Sequence, residues 1–382
     1  QQMTAMDDPA HVMDAFLNIK GGADKLAEAL RQQPPATDVA LLALRHMYAV
    51  GRSDAALDSL LSELAGIKGE APKLTEEQIK AKAEEAVAEG DAARGEAVFR
   101  RADLACMRCH AVSKGGGQVG PDLSAVGASS PVDYLVKSVY DPDAQKKEEY
   151  VTRILLTVEG QQLTGIIANR TDEQITLKTA DGKLIEVPTA DIDFEGVGKS
   201  LMPEGLVKFM TEQEVLDVVK FLSMLGKPGT PYEIRQTQRM QRWRMLMAAP
   251  QKLIDDIPDE ELLGDLVLRS PNWQPAYSRV NGELPLDELT ARTGQSVVYV
   301  QGEVDVTAGG VVRPRLNSVV GISLWVDDLR ISLDSEPTLD LAKGRHTVTL
   351  RIDTAEREAQ TISLELDRVS GTSAQFTVVD GQ

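Results

Sequence analysis

Apolar residues recur at three- and four-residue steps through the first part of the chain, and this spacing predicts helices alone over residues 1–90. Val12, Phe16 and Leu17 form one stripe; Val39, Leu41, Leu42, Leu44 and Met47 form another. Pro34-Pro35, Gly51 and Gly69 punctuate them. The helical period resumes at Asp91, a suitable N-cap, in a helix that carries Gly95 and Phe99 on one face and ends near Cys106. A further helix is predicted over about 131–140, where Asp141-Pro142 stops it. The period then changes to two. Short strands are expected at 150–158, 163–169, 174–179 and 184–187, with Asp181-Gly182 as a hairpin turn. A last amphipathic helix over about 211–225 begins with Thr211 and Glu214 in capping-box positions, and the Gly-Lys-Pro-Gly run at 226–229 closes the region.

Beyond it the pattern changes twice. Residues 227–256 read as a basic helical linker holding Lys227, Arg235, Arg239, Arg242, Arg244 and Lys252 between two acidic regions. Self-neutralisation of the linker's neighbours is the simpler expectation; a docking strip for an acidic redox partner is the alternative. Residues 257–382 alternate, with strands expected at 296–306, 311–319, 322–326, 329–333, 346–352, 361–366 and 375–379, a series that suggests a β-sandwich or jelly roll. The expected fold class is therefore multidomain α+β. A helical segment spans 1–90, a helical domain with a β insert at about 150–194 spans 91–226, the linker spans 227–256, and a β-sandwich spans 257–382.

Composition changes this picture little. With 42% apolar and 26% charged residues among 382, the chain has enough material for two or three buried cores. A net charge of −18 argues against nucleic acid as a partner, because phosphate contacts need clustered cations. No apolar run approaches the ~20 residues of a membrane span. The sequence opens on Gln1, with no leader peptide in view.

The chemistry is concentrated in Cys106-Met107-Arg108-Cys109-His110, which fits the Cys-x-x-Cys-His haem-attachment pattern and uses both cysteines of the chain. Two thiols at that spacing can add to the two vinyl groups of one haem, and the neighbouring His then meets the iron. A zinc site would want about four Cys or His ligands, and no second Cys pair exists. A thioredoxin-like pair would want a βαβ setting, whereas a helix precedes Cys106 and the glycines 115–117 follow it. One covalent haem c is the expectation. Its attachment is normally made outside the cytoplasm, so a periplasmic or otherwise exported location and an upstream export segment are expected too.

The sixth iron position wants His nitrogen or Met sulfur if it is to be closed. Between His110 and Leu201 the chain has neither residue, so Met202 is the first candidate, presented between Ser200-Leu201 and Pro203-Glu204-Gly205. Met210 and Met224, in or beside the last helix, are expected in the core, and His11, His46 and His346 in surface or packing roles.

Taken together, Gly95, Phe99, the Cys-x-x-Cys-His site, Gly120-Pro121-Asp122-Leu123 and Met202 before a closing helix resemble a cytochrome c domain. That resemblance implies a first and last helix that cross, Phe221 meeting Phe99, and the Pro121 carbonyl accepting a hydrogen bond from His110, which sets the orientation of the ring. The β insert sharpens the likeness. Residues 91–226 resemble the planctomycete and verrucomicrobial haem-binding domain, and the paired helices before them resemble the end of a HEAT-type solenoid. The implied function is one-electron transfer, with His110 and Met202 on the iron, and Phe99, Leu123, Leu201 and Phe221 as its apolar surroundings. The implied partner is a redox protein, either an exported dehydrogenase or another cytochrome.

No acid–base pair, nucleophile triad or phosphate loop is visible, so no independent catalysis is expected. Two rival functions stand beside the carrier. One is a gas or peroxide sensor with Met202 off the iron. The other is a carbohydrate-adhesion protein with ancillary haem, because residues 321–350 resemble carbohydrate-binding and PA14-type sandwiches. In that case a polysaccharide would be a partner, with Trp273, Tyr277 and Trp325 as stacking surfaces set against their commoner fate as core residues.

Overall fold

The computed structural model describes residues 9–50, 54–67, 73–101, 104–144, 147–234, 238–333 and 335–379. The chain is a mixture of helix and several separate sheets. It divides into two compact units, one made of residues 1–111 with 117–227, the other of 112–116 with 228–381.

The first unit opens with α1 (Ala10–Leu17), α2 (Gly22–Gln32), α3 (Thr37–Ala49) and α4 (Ala55–Leu64). Their apolar stripes meet in one cluster that buries Met13, Leu17, Leu26, Leu44, Met47, Leu57 and Leu61. Val12 and Leu42 fall outside it and are exposed, because the stripes are wider than the faces that pack. His46 ties α3 to α1 through a 2.7 Å contact of Nε2 with Asp14 Oδ1. Helix α5 (Glu76–Glu89) starts on a Thr75/Gln78 capping box and packs against α9 (Val132–Tyr140) and α10 (Glu212–Met224). A helix that the sequence places in the N-terminal segment is thus joined by packing to helices beyond residue 91.

Between these run α6 (Ala92–Phe99), the single turn α7 (Cys106–Cys109), the short ladder of β1 (Ala111–Val112) with β2 (Gly115–Gly116), and the turn α8 (Val126–Ser129). The insert is a five-stranded antiparallel sheet of β3 (Thr152–Thr157), β4 (Gln162–Arg170), β5 (Gln174–Lys178), β6 (Leu184–Pro188) and β7 (Ile192–Val197), in the order β6-β5-β4-β3-β7. Gly182 takes the left-handed backbone (φ +82°) that the β5–β6 hairpin turn requires. The sequence reading lacked β7, which carries the insert to Val197. Gln162 N donates to Asn18 O at 3.1 Å, joining the insert to the α1–α2 turn.

The second unit contains a seven-stranded sheet. It comprises β8 (Arg242–Leu246), β9 (Trp273–Tyr277), β11 (Val297–Ala308), β13 (Ile322–Val326), β14 (Leu329–Ile331), β16 (Gly344–Asp353) and β19 (Gln375–Val378). A three-stranded sheet pairs β12 (Gly310–Leu316) with β15 (Leu339–Leu341) and β18 (Leu364–Arg368), and a small ladder joins β10 (Leu284–Pro285) to β17 (Thr361–Ile362). The two larger sheets share one buried cluster: Val300, Leu324 and Leu350 enter it from one, Val312, Leu341 and Leu366 from the other.

One expectation is corrected here. Residues 227–256 do not form a helical linker. Arg242–Leu246 is a strand between β11 and β9, because Trp243 and Met245 alternate with arginines and are buried; among the described residues of this stretch only Gln251–Asp255 is helical. Arg235 lies outside the described residues. Arg239 pairs with Glu365 at 3.1 Å, and Arg244 bonds Gln301 at 2.7 Å, so both are engaged within their own unit. Of the aromatic candidates, Trp325 is 1% exposed and takes the commoner core fate, and the Trp273 ring carries the Arg244 guanidinium 5.2 Å from its centroid. Tyr277 is half-buried in β9. His346 bonds Asp327 Oδ2 at 2.8 Å and Ala342 O at 2.9 Å, a structural role.

Candidate functional site

The Cys-x-x-Cys-His stretch, Gly120-Pro121 and Met202 lie in the first unit, together with the crossing of α6 and α10. The crossing is tight: a methyl at Gly95 would lie 1.9 Å from Asp217 O, so only glycine allows the approach. Phe99 and Phe221 meet beside it, with ring centroids 5.5 Å apart and planes inclined by 53°. Asp217 staples the helices. Its carboxylate accepts from Asp91 N at 2.7 Å and from the Arg94 guanidinium at 2.8 and 2.9 Å. Burial pushes its pKa up, but Arg94, the Asp91 amide and Gln213 outweigh burial and hold it below the ordinary aspartate value.

From Phe99 the chain reaches Cys106 and turns through α7. The following loop folds back under it, with Gly117 N donating to Met107 O at 2.9 Å and Gly120 N to Cys109 O at 2.8 Å. This return brings the Pro121 carbonyl to His110, at 2.9 Å from Nδ1. Gly120 passes so close to the ring that a methyl there would lie 2.7 Å from His110 Cε1. Burial lowers the His110 pKa from its ordinary value, opposed by the Pro121 carbonyl and the Asp122 charge, which favours the neutral ring. With Nδ1–H given to Pro121, Nε2 keeps its lone pair. Burial also raises the Cys109 thiol above its usual value, against the pull of Arg108.

Cys106, Cys109, His110, Pro121, Leu123, Phe99, Leu201 and Met202 all border one mostly apolar cavity. The eight come from four separate stretches of sequence. Phe221 does not border it, contrary to expectation; it is 1% exposed and packs behind Phe99. Ser200 N donates to Asp143 Oδ1 at 2.7 Å and Met202 N to Ser200 Oγ at 3.2 Å, which fixes the entry to the Met202 loop. Met210, expected in the core, also borders the cavity and is a second thioether within it.

Several lining residues had no signal in the sequence. Ile166 of β4 packs with Val119 and Leu201, with Cys109 and Tyr150 against them, so the insert supplies part of the wall. Arg45 and Tyr48 reach the cavity from α3. Only the partnership of distant segments reveals them. Among the described residues no group of three or more His, Cys, Asp and Glu side chains converges as a metal site. No described helix is long and apolar enough to cross a membrane. No protein-family model matches the chain, and no curated protein matches it at a significant level.

Proposed function

We propose that the first unit binds one haem covalently and works as a one-electron carrier. The support is a single observation: the Cys106 and Cys109 thiols, the His110 imidazole and the Met202 thioether border one apolar cavity. That donor set suits a porphyrin iron, which takes nitrogen or sulfur on its axis and an apolar surround. When bound, the haem supplies an iron that alternates between two oxidation states. Cys106 and Cys109 would hold the haem through thioether bonds to its two vinyl groups. His110 would offer Nε2 to the iron, with Pro121 fixing the plane of its ring. Met202 would offer the second protein donor, and Phe99, Leu123 and Leu201 would exclude water; Met/His ligation in an apolar surround favours a high potential.

Were His110 and Met202 both to ligate the iron, the protein would pass electrons rather than transform a substrate. Its expected partner is an exported dehydrogenase or another cytochrome, and its location the periplasm or another exported compartment, as the resemblance of residues 91–226 implies. The β-rich second unit is then an accessory sandwich.

The test is a haem stain of the denatured protein with a ferric spectrum of the native one. Covalent haem, a far-red thioether charge-transfer band and its loss in Met202→Ala but not in Met210→Ala are expected. Haem that extracts freely into acidified solvent, or a band lost only in Met210→Ala, overturns the assignment.

A further inference from the structure

We infer that the N-terminal helices are part of the redox site: Tyr48 of α3 and Asp58 of α4, acting through Lys208, are positioning residues that hold the Met202 segment against the cavity. This rests on the haem reading above. The segment from Met202 to Phe209 meets these helices repeatedly. Lys208 Nζ lies 2.9 Å from Asp58 Oδ2, with side chains only 8% and 19% exposed. The same carboxylate accepts the Tyr48 hydroxyl on Oδ1. The Tyr48 ring stands edge-on to Phe209, with centroids 5.7 Å apart. Leu206 is buried in the α1–α4 cluster, and Met202 and Phe209 pack against it. Gly205, in the left-handed region at φ +89°, brings the backbone so close that a methyl there would lie 3.2 Å from Tyr48 Oη.

A segment held only by apolar contact would tolerate sliding. An enclosed ion pair does not, because either partner alone is a buried charge without compensation. The pair therefore fixes the loop's place along α3 and α4, six residues after the thioether that must reach the iron. Tyr48 has two duties, as it also borders the cavity.

The haem-loaded full chain gives a readout that fold stability alone does not move. Added imidazole takes the sixth position only when the Met202 thioether has left, so its apparent affinity scales with the fraction of molecules in that state. Asp58→Asn and Tyr48→Phe should each tighten imidazole binding by about tenfold or more and weaken the ferric thioether band. Tyr48→Phe keeps the ring on Phe209, so it tests the bond without removing the packing. Asp14→Asn loosens α3 from α1 without touching the segment, and should leave imidazole affinity unchanged. Unaltered affinity in both clamp variants overturns the inference, as does an equal rise in Asp14→Asn, which would mark general loosening. A wild-type protein with no covalent haem, or no thioether band, removes the haem reading itself and this inference with it.

Discussion

Asp217 keeps a negative charge with 3% of its side chain exposed, and three groups share the work of making that possible. Arg94 alone would not suffice, since it is 57% exposed and its contribution is screened by water. The Asp91 amide and Gln213 complete the set, so the carboxylate joins the start of α6 to the middle of α10. Because its folded pKa is depressed, the stabilisation is complete above the ordinary aspartate pKa of about 4 and is lost as pH falls through the lower folded value. Asp217→Asn is expected to cost about 2 kcal/mol at pH 7, the scale of a hydrogen bond to a charged group. Urea titrations at stepped pH check this: the gap between variant and wild type should close on acidification. A gap that does not narrow as the pH falls below the ordinary aspartate range would mean that the charge is not what matters. Nothing in the sequence singles out Asp217, because its partner Arg94 lies 123 residues away.

Helices and strands differ in how plainly the sequence announces them. Strands β3 to β6 follow the alternation at 150–187 almost residue for residue, since each has one face on the cluster of Leu155, Leu163, Ile175, Leu177 and Val187. Strand β7 was invisible because it lies at the sheet edge, with Phe194 and Val197 exposed, so burial leaves no alternation to read. Strand β8 was misread for the opposite reason. Arg242-Trp243-Arg244-Met245 alternates cleanly, but its arginines suggested a solvated helix. Cys106, Cys109, His110 and Pro121 were legible in the sequence as parts of one site, whereas the cavity walls contributed by α3 and β4 were not, since sequence spacing carries no information about which element packs over a cavity. Ile166 tests the insert's share. In the haem-loaded protein, Ile166→Ala should lower the reduction potential by admitting water beside Leu201, and should cost stability of about 2–5 kcal/mol as a buried truncation does. Val158→Ala, in the turn after β3 and 65% exposed, should change neither. Equal potentials for Ile166→Ala and wild type would leave the insert with no part in the haem environment.

At the scale of the whole molecule the dominant property is charge, −18 in total. The one basic stretch recognised in the sequence does not interrupt it as a free strip, since Arg239 is committed to Glu365 and Arg244 lies over Trp273. A partner approaching the molecule therefore meets a predominantly negative field, which acts on encounter rate more than on bound affinity. Small redox reagents isolate this effect, because they need no specific docking face. The bimolecular rate with a cationic oxidant should be high in dilute buffer and fall as salt rises, since the field is screened over ~10 Å at 0.1 M. With an anionic oxidant of similar driving force the trend should reverse, starting low and rising with salt. On the carrier reading proposed above, stopped-flow oxidation of the haem-loaded, reduced protein at several ionic strengths separates the two. If both rates are flat, the total charge does not set the field that a small reagent meets. If the anionic reagent is the one slowed by salt, the reagent meets a local positive field despite the total charge.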